Sequence, residues 1–489
     1  MKFRTFFPVF IFLFFSLLLV GTTIFYAPSW GLMDDAKQLV DSSRIWAGNN
    51  VVEDLSNSIN QGVYYMPFSV IWRLVTFRIF RNLPLFCYIL IILQNMFGIF
   101  LWGLVLHKVF AGKKKDFLLN VFIFPLSLFL STSFWNIFNY ITLQEKFIFL
   151  FSAISIYFIK RYLDAEKTKY LLVSLLFTIL TVLSKPTGVY IVLVYIIYSC
   201  LLAARGDRRR LVALLLITHI CLLFSYILII IGYRGNGYAL GYNLSLIAIV
   251  NNFMNAPLVI KLLFVIAAFM IFYIIYKVDK EKRFSLEAVF IPLGFLCYIA
   301  VLLPWGIISY HTSATATYVM GMFFPIYSYF NEKSRLARVA VNCLILFLLL
   351  FTFLYIIKPR ISRVADVKKA VIFLKDFSVT HTGRYFFPPP FVESAYSLSI
   401  LSGLPVKYIN NGILSVDMLG PGVRNFIIFD YQDRSIDLIG VQADKEVYRN
   451  DNWRIYEIKE SKDSKIRLAV KFKENLFENS IGEAYYSIY

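Results

Sequence analysis

The chain has 489 residues, 59% of them hydrophobic and 18% aromatic, with a mean hydropathy of +0.67. Soluble domains are about 45–50% apolar, so most of this chain is not a soluble globule. The formal charge of +19 would fit a nucleic-acid binder, but the basic residues recur in short clusters between apolar runs, the pattern of cytoplasmic loops in a multi-pass membrane protein.

The first apolar run, Phe6 to Tyr26, follows Lys2 and Arg4. About 20 apolar residues suffice to cross about 30 Å of hydrocarbon. No small-residue cleavage site follows, so an uncleaved anchor is expected rather than a signal peptide. Further apolar runs cover residues 84–107, 117–134, 147–160, 170–184, 188–204, 211–232, 258–276, 287–303, 314–330 and 339–357, eleven crossings in all. Lys108 with Lys113–Lys115, Lys160/Arg161, Arg208–Arg210, Lys277–Arg283 and Lys333–Arg338 then share one side with the N-terminus. The positive-inside rule makes that side cytoplasmic, and an odd number of crossings puts the tail outside. Residues 28–83 form a long first outside loop, and long loops tend to be functional. Within it, Phe68, Ile71, Trp72, Val75 and Ile79 repeat with helical spacing while Arg73, Arg78 and Arg81 interrupt. This predicts an amphipathic helix over 67–81 lying on the membrane surface.

After Tyr355 the composition turns polar and mixed in charge. Val364 to Phe377 has a helical pattern; Asn425–Phe429, Trp453–Ile458 and Ile466–Phe472 read as strands. The expected architecture is a polytopic α-helical membrane domain over 1–363, followed by a small extracytoplasmic α/β domain over 364–489. All five cysteines fall in apolar runs and no CxxC or HExxH spacing occurs, so neither a disulfide framework nor a structural zinc site is implied.

The residues with chemical potential are those on the outside. Asp34 and Asp35 open the long loop, and Lys37, Asp41 and Arg44 follow. Carboxylates beside a bilayer are rarely packing residues; the plain alternative is a helix N-cap. Glu145 and Lys146 fall in the short turn before the fourth crossing. Lys185 precedes a Pro-Thr-Gly break at the outer end of the fifth. Arg234 begins a Gly-rich loop, Lys261 opens the eighth crossing, and His311 lies in Trp305–Thr312, between the ninth and tenth crossings. Each cation can instead snorkel to headgroups, and His311 reads equally as a satisfied interfacial histidine. Together they make a surface of carboxylates and cations at membrane level. Cations there suit a phosphate, and a carboxylate suits a general base acting on a hydroxyl. A base facing a phosphate leaving group is a glycosyl-transfer layout.

On Asp34-Asp35, the 28–83 loop and the 364–489 tail, the chain resembles the GT-C class of membrane glycosyltransferases, which use polyprenyl-phosphate-linked sugars. In size and layout it is similar to bacterial O-antigen-modifying (serotype-converting) glucosyltransferases. The resemblance implies Asp34 as catalytic base of an inverting transfer, with Asp35 orienting it or holding the acceptor. Lys185, Arg234 and His311 would bind the donor phosphate, with Lys37, Arg44, Glu145 and Lys146 as further substrate-binding candidates. It implies an undecaprenyl-phosphate-linked donor and a glycan or lipopolysaccharide acceptor at the outer face of a bacterial inner membrane. It implies no nucleic acid and no required metal, although some relatives bind a divalent cation. A surface-polysaccharide polymerase or ligase, or a transporter of lipid-linked sugars, is the alternative; a transporter predicts mid-span ionisable residues, inverted repeats and broken helices in matching positions, whereas most of the apolar runs lack Asp and Glu and no repeat is seen.

Overall fold

The computed structural model describes residues 3–28, 30, 42, 45–46, 48, 50–60, 65–80, 83–110, 117–131, 133–139, 144–206, 209–232, 245–281, 285–305, 315–387, 399, 401–404, 406–408, 413–415, 424–430, 434–439, 443–449, 453–458 and 465–472. Its helices are α1 (Phe3–Tyr26), α2 (Val51–Asn60), α3 (Pro67–Phe80), α4 (Pro84–Val109), α5 (Glu145–Ala165), α6 (Thr168–Ser184), α7 (Tyr190–Ala204), α8 (Arg209–Gly232), α9 (Leu246–Asn255), α10 (Leu258–Glu281), α11 (Phe290–Leu302), α12 (Thr315–Lys333), α13 (Arg335–Thr352) and α14 (Lys358–Thr380). Six helical stretches among the described residues are long and apolar enough to cross a membrane: Phe6–Tyr26, Pro84–Val109, Pro186–Ala204, Arg210–Ile229, Leu258–Val278 and Arg335–Ile357. They match six of the eleven expected crossings.

The other five runs are helical too, but shorter, interrupted or less apolar. Run 117–134 is no continuous α-helix: a π-turn at Leu119–Ile123 leads into a 3-10 stretch, Phe124–Leu130. Pro125 removes a helical donor there. Gly103 on α4 lets this segment close in, because a Cβ at that position would stand 2.5 Å from the Val121 carbonyl oxygen. Run 147–160 is part of the longer α5, whose first turn already contains Glu145 and Lys146. Run 170–184 is the 17-residue α6. Run 287–303 begins as 3-10 helix before α11, and run 314–330 is α12, with Pro325 inside it.

The core of the bundle is aromatic. Trp102, Tyr190, Tyr195 and Tyr318 are fully buried, and Trp102 sets its ring edge-on to Tyr318 at 5.3 Å while its Nε1 donates to the Phe149 carbonyl at 2.9 Å. Indole N–H groups need such an acceptor when buried. Polar ties are also internal. Ser155 links to Ser174, Thr178 and Tyr195 at 2.9, 2.8 and 2.7 Å, and Tyr190 bridges Ser152 and Tyr318 at 2.6 Å each. In hydrocarbon, hydroxyls of this kind must be satisfied within the protein.

α13 does not end at the last apolar residue. It passes through a π-turn, Phe353–Ile357, straight into α14, a rod of about 70 Å at 1.5 Å per residue. The helix expected over 364–377 thus begins at Lys358, continuous with the preceding apolar helix. α14 lays Val367, Ala370, Leu374 and Phe377 on Tyr385, Phe426 and Ile455 of a five-stranded sheet. That sheet has the order β2 (Val406–Tyr408), β1 (Gly383–Phe387), β4 (Arg424–Asp430), β7 (Trp453–Ile458), β6 (Ala443–Arg449). β1 runs parallel to β2 and β4, and the remaining pairs are antiparallel. A separate three-stranded antiparallel sheet joins β3 (Ile413–Ser415), β8 (Lys465–Phe472) and β5 (Arg434–Ile439). The strands expected at 425–429, 453–458 and 466–472 correspond to β4, β7 and β8.

Candidate functional site

The site is organised by α3. Its apolar residues Ile71, Val75 and Ile79 are exposed at 45%, 45% and 64%, the face a membrane-surface helix offers to lipid. The opposite face is buried, and it includes Arg73. The arginine that reads in the sequence as an interruption therefore points into the protein. Phe68 and Trp72 stack edge-on against Phe147 at 5.1 and 5.4 Å, fixing α3 to the first turn of α5. Ser69, one turn before Arg73, donates to the Ser184 carbonyl at 2.6 Å, fixing α3 to the last turn of α6.

At this meeting point the chain buries an ion pair. The Lys185 ammonium donates to the Glu145 carboxylate; the carboxylate side chain is fully buried and that of Lys185 is 6% exposed. Lys185 can reach it because α6 stops there. Its backbone is extended, with φ −162° and ψ 144°, and Pro186 opens a 3-10 turn, Pro186–Val189. Proline disfavours a helical residue before it, so the break seen in the sequence is what frees the lysine from the helix. Gly188 makes the turn tight: a Cβ there would stand 2.2 Å from the Thr181 carbonyl oxygen. Lys146 is fully buried beside Glu145, its Nζ 5.2 Å from the centre of the Phe147 ring.

The segment bearing the two aspartates is bracketed by residues that pack on the same helix. Trp30 is buried against Phe77, ring centres 4.5 Å apart. On the far side Ile45 packs on Val70 and Leu74, Trp46 donates from Nε1 to the Leu74 carbonyl at 3.1 Å, and Arg78 lies over the Trp46 ring at 5.3 Å. Asp34, Asp35, Lys37, Asp41 and Arg44 themselves lie outside the described residues, as do Arg234 and His311.

Of the sequence-predicted residues, the structure brings together Glu145, Lys146 and Lys185. The expectation that Glu145 and Lys146 occupy a solvent-facing turn is corrected: they are the opening residues of α5, with no surface exposure. Lys261 is elsewhere; it donates to the Met254 carbonyl and closes the end of α9, a structural task. Sequence reasoning missed Arg73 and Ser69. Their signal was present as a second stripe, Ser69, Arg73 and Thr76 at i, i+4 and i+7, on the face opposite the isoleucines. Among the described residues no group of three metal-ligating side chains occurs.

Burying a charge pair costs several kcal/mol per ion in desolvation, and its mutual attraction roughly repays this. The pair is therefore a poor source of stability and a good means of holding an ammonium in one place at membrane depth. Lys146 is buried next to the pair in sequence, and Arg73 is buried one turn beyond Ser69 on α3, the residue that ties this helix to the end of α6.

No family model matches the sequence, and no curated protein matches it. Among solved structures, the chain is similar to an archaeal oligosaccharyltransferase, AglB from Archaeoglobus fulgidus, in complex with an inhibitory peptide and a dolichol-phosphate, with a TM-score of 0.45 and 12% identity. The match covers 83% of this chain and 65% of that one, so the chain spans less than two thirds of that protein's length.

Proposed function

We propose that this protein is an integral-membrane glycosyltransferase of the GT-C kind, moving a sugar from a polyprenyl-phosphate carrier to a hydroxyl of a glycan or lipopolysaccharide acceptor outside the membrane. The observation that supports the reading is the buried Glu145–Lys185 pair, next to α3, the helix on which Trp30 and Ile45 pack from either side of the sequence that carries Asp34 and Asp35. Lys185, held by Glu145, binds the carrier phosphate with Arg73 and Lys146. Asp34 takes the proton from the acceptor hydroxyl. The hydroxyl oxygen forms a bond to the anomeric carbon from the face opposite the phosphate, and the carbon–oxygen bond to phosphate breaks, inverting the centre. The phosphate leaves on its lipid with its new charge met by the cations, which need no reorganisation at that moment. Asp35 orients Asp34, and Lys37, Arg44, Arg234 and His311 complete the substrate contacts. In this reading the chain sits in a bacterial inner membrane with eleven crossings, its N-terminus in the cytoplasm and residues 364–489 as a soluble domain outside.

The test is sugar transfer by the purified protein from a panel of polyprenyl-phosphate sugars to glycolipid acceptors, alongside Asp34→Asn. Transfer by the parent alone supports the reading. No transfer from any donor by folded protein overturns it in favour of a polymerase, ligase or transporter, which chain-length and flux assays separate. Equal activity of parent and variant removes Asp34 from the base role.

A further inference from the structure

A groove of about 460 Å³ runs between α10 and α12, within the size range of small-ligand pockets of about 300–1,000 Å³. It lies in the half of the bundle that carries the basic loops. Lys277 is sixteen residues beyond Lys261 on α10, about 24 Å along the axis at 1.5 Å per residue, and Lys261 marks the opposite end. One wall is Met270 and Tyr273, the other Ile326 and Tyr329, with Met322 as a buried floor. Ile326 and Phe269 at the rim are exposed at 54% and 68%, so the groove opens sideways, toward lipid.

The two walls run from apolar to polar in the same direction. On α10, Met270, Tyr273 and Lys277 follow at i, i+3 and i+7, one helical stripe, and the Lys277 ammonium sits 5.7 Å from the Tyr273 ring centre. On α12, Met322, Ile326 and Tyr329 follow at i, i+4 and i+7, again one helical stripe. Tyrosine at the level where a bilayer turns polar, followed by lysine, is the order of environments along a phospholipid from acyl chain to phosphate. Lys277 to Arg283 holds four cations, Lys277, Lys280, Lys282 and Arg283, against two carboxylates, Asp279 and Glu281. A cytoplasmic leaflet is anionic, and basic residues at its surface attract its headgroups.

We propose that this groove is a binding site for one anionic diacyl phospholipid of the leaflet at the basic end, an acyl chain lying between α10 and α12 and the phosphate meeting Lys277 at the tyrosine level. The site is separate from the transfer site and does not depend on the proposed activity. The basic residue at its polar end favours an anionic lipid over a neutral one.

The test is native mass spectrometry of the intact protein exchanged into detergent with equal amounts of phosphatidylglycerol and phosphatidylcholine. Retained adducts should favour phosphatidylglycerol about fivefold, the increment expected of one basic residue at a charged surface. Lys277→Gln should bring that ratio close to one. Ile326→Trp, which fills the groove from an exposed position and so spares the core, should abolish the tight adduct while leaving the melting temperature in detergent unchanged. Equal retention of both lipids by the parent, adducts indifferent to both substitutions, or displacement of phosphatidylglycerol by equimolar undecaprenyl phosphate would each overturn the proposal.

Discussion

At the residue scale the proposed reading turns on the buried Glu145–Lys185 pair. Removing one member leaves the other charge buried without its partner, which costs about 3–5 kcal/mol. Glu145→Gln is therefore expected to lower the melting temperature sharply and to abolish transfer together with it. The double variant Glu145→Met/Lys185→Met removes both charges and keeps the volume. Exchanging a buried pair for apolar residues is often neutral or stabilising, so this variant should melt at or above the parent temperature yet bind no polyprenyl phosphate. Measuring melting and lipid-phosphate binding on both variants separates the two roles, because a pair present only for stability would leave binding intact in the double variant. Gly188 belongs to the same argument. With a Cβ 2.2 Å from the Thr181 carbonyl, Gly188→Ala overpacks the break that presents Lys185 and should cost about 1–3 kcal/mol, read as a lowered melting temperature.

At the element scale α3 is the organiser. It contacts the end of α6 through Ser69, the start of α5 through Phe68 and Trp72, and both flanks of the aspartate segment through Phe77, Leu74 and Val70. An amphipathic helix with its lipid face outward can serve this way because its other face is free for polar ties. Trp30→Ala deletes a buried aromatic anchor, a change that typically costs about 3–5 kcal/mol in a core. At this flank of the site it should reduce transfer by more than its effect on global melting explains. Comparing turnover at a temperature well below both melting points checks this, and turnover matching the parent under those conditions would remove α3 as the element that sets the site. The sequence reading recognised α3 as amphipathic but assigned its arginines to interruption, because periodicity tells that a face exists and not which neighbour it meets.

At the scale of the molecule the continuous rod of α13 and α14 ties the membrane bundle to the sheet. Leu401 adds a second tie: it packs both on the α14–sheet core and on the Trp30, Phe77 and Tyr88 cluster at the mouth of the bundle. The core of the sheet unit and the Trp30 cluster thus share one side chain. Leu401→Asp places a charge in that partly buried apolar seat, where it removes the apolar contact and gives up part of its hydration. The expected outcome is a unit held only by the rod, with faster proteolysis after Thr380 and reduced transfer to a large glycan acceptor. Unchanged proteolysis and transfer would show that the seat is not functional.

What the sequence determined by itself was whatever depends on local order along the chain. The apolar runs, their punctuation by basic clusters, the break at Lys185-Pro186, the helix of residues 67–80 and the strands at 425–429, 453–458 and 466–472 all follow from periodicity, proline and composition, which act within a few residues. The irregular course of 119–130 was not legible, because a π-turn followed by 3-10 helix depends on what Gly103 allows to approach. Nor was the pairing of Glu145 with Lys185, forty residues apart, since a side chain's partner is decided by which helices meet. The tertiary structure alone turned Glu145 and Lys146 from turn residues into buried ones and put Arg73 on the buried face of α3, because burial is a property of packing and not of any one segment.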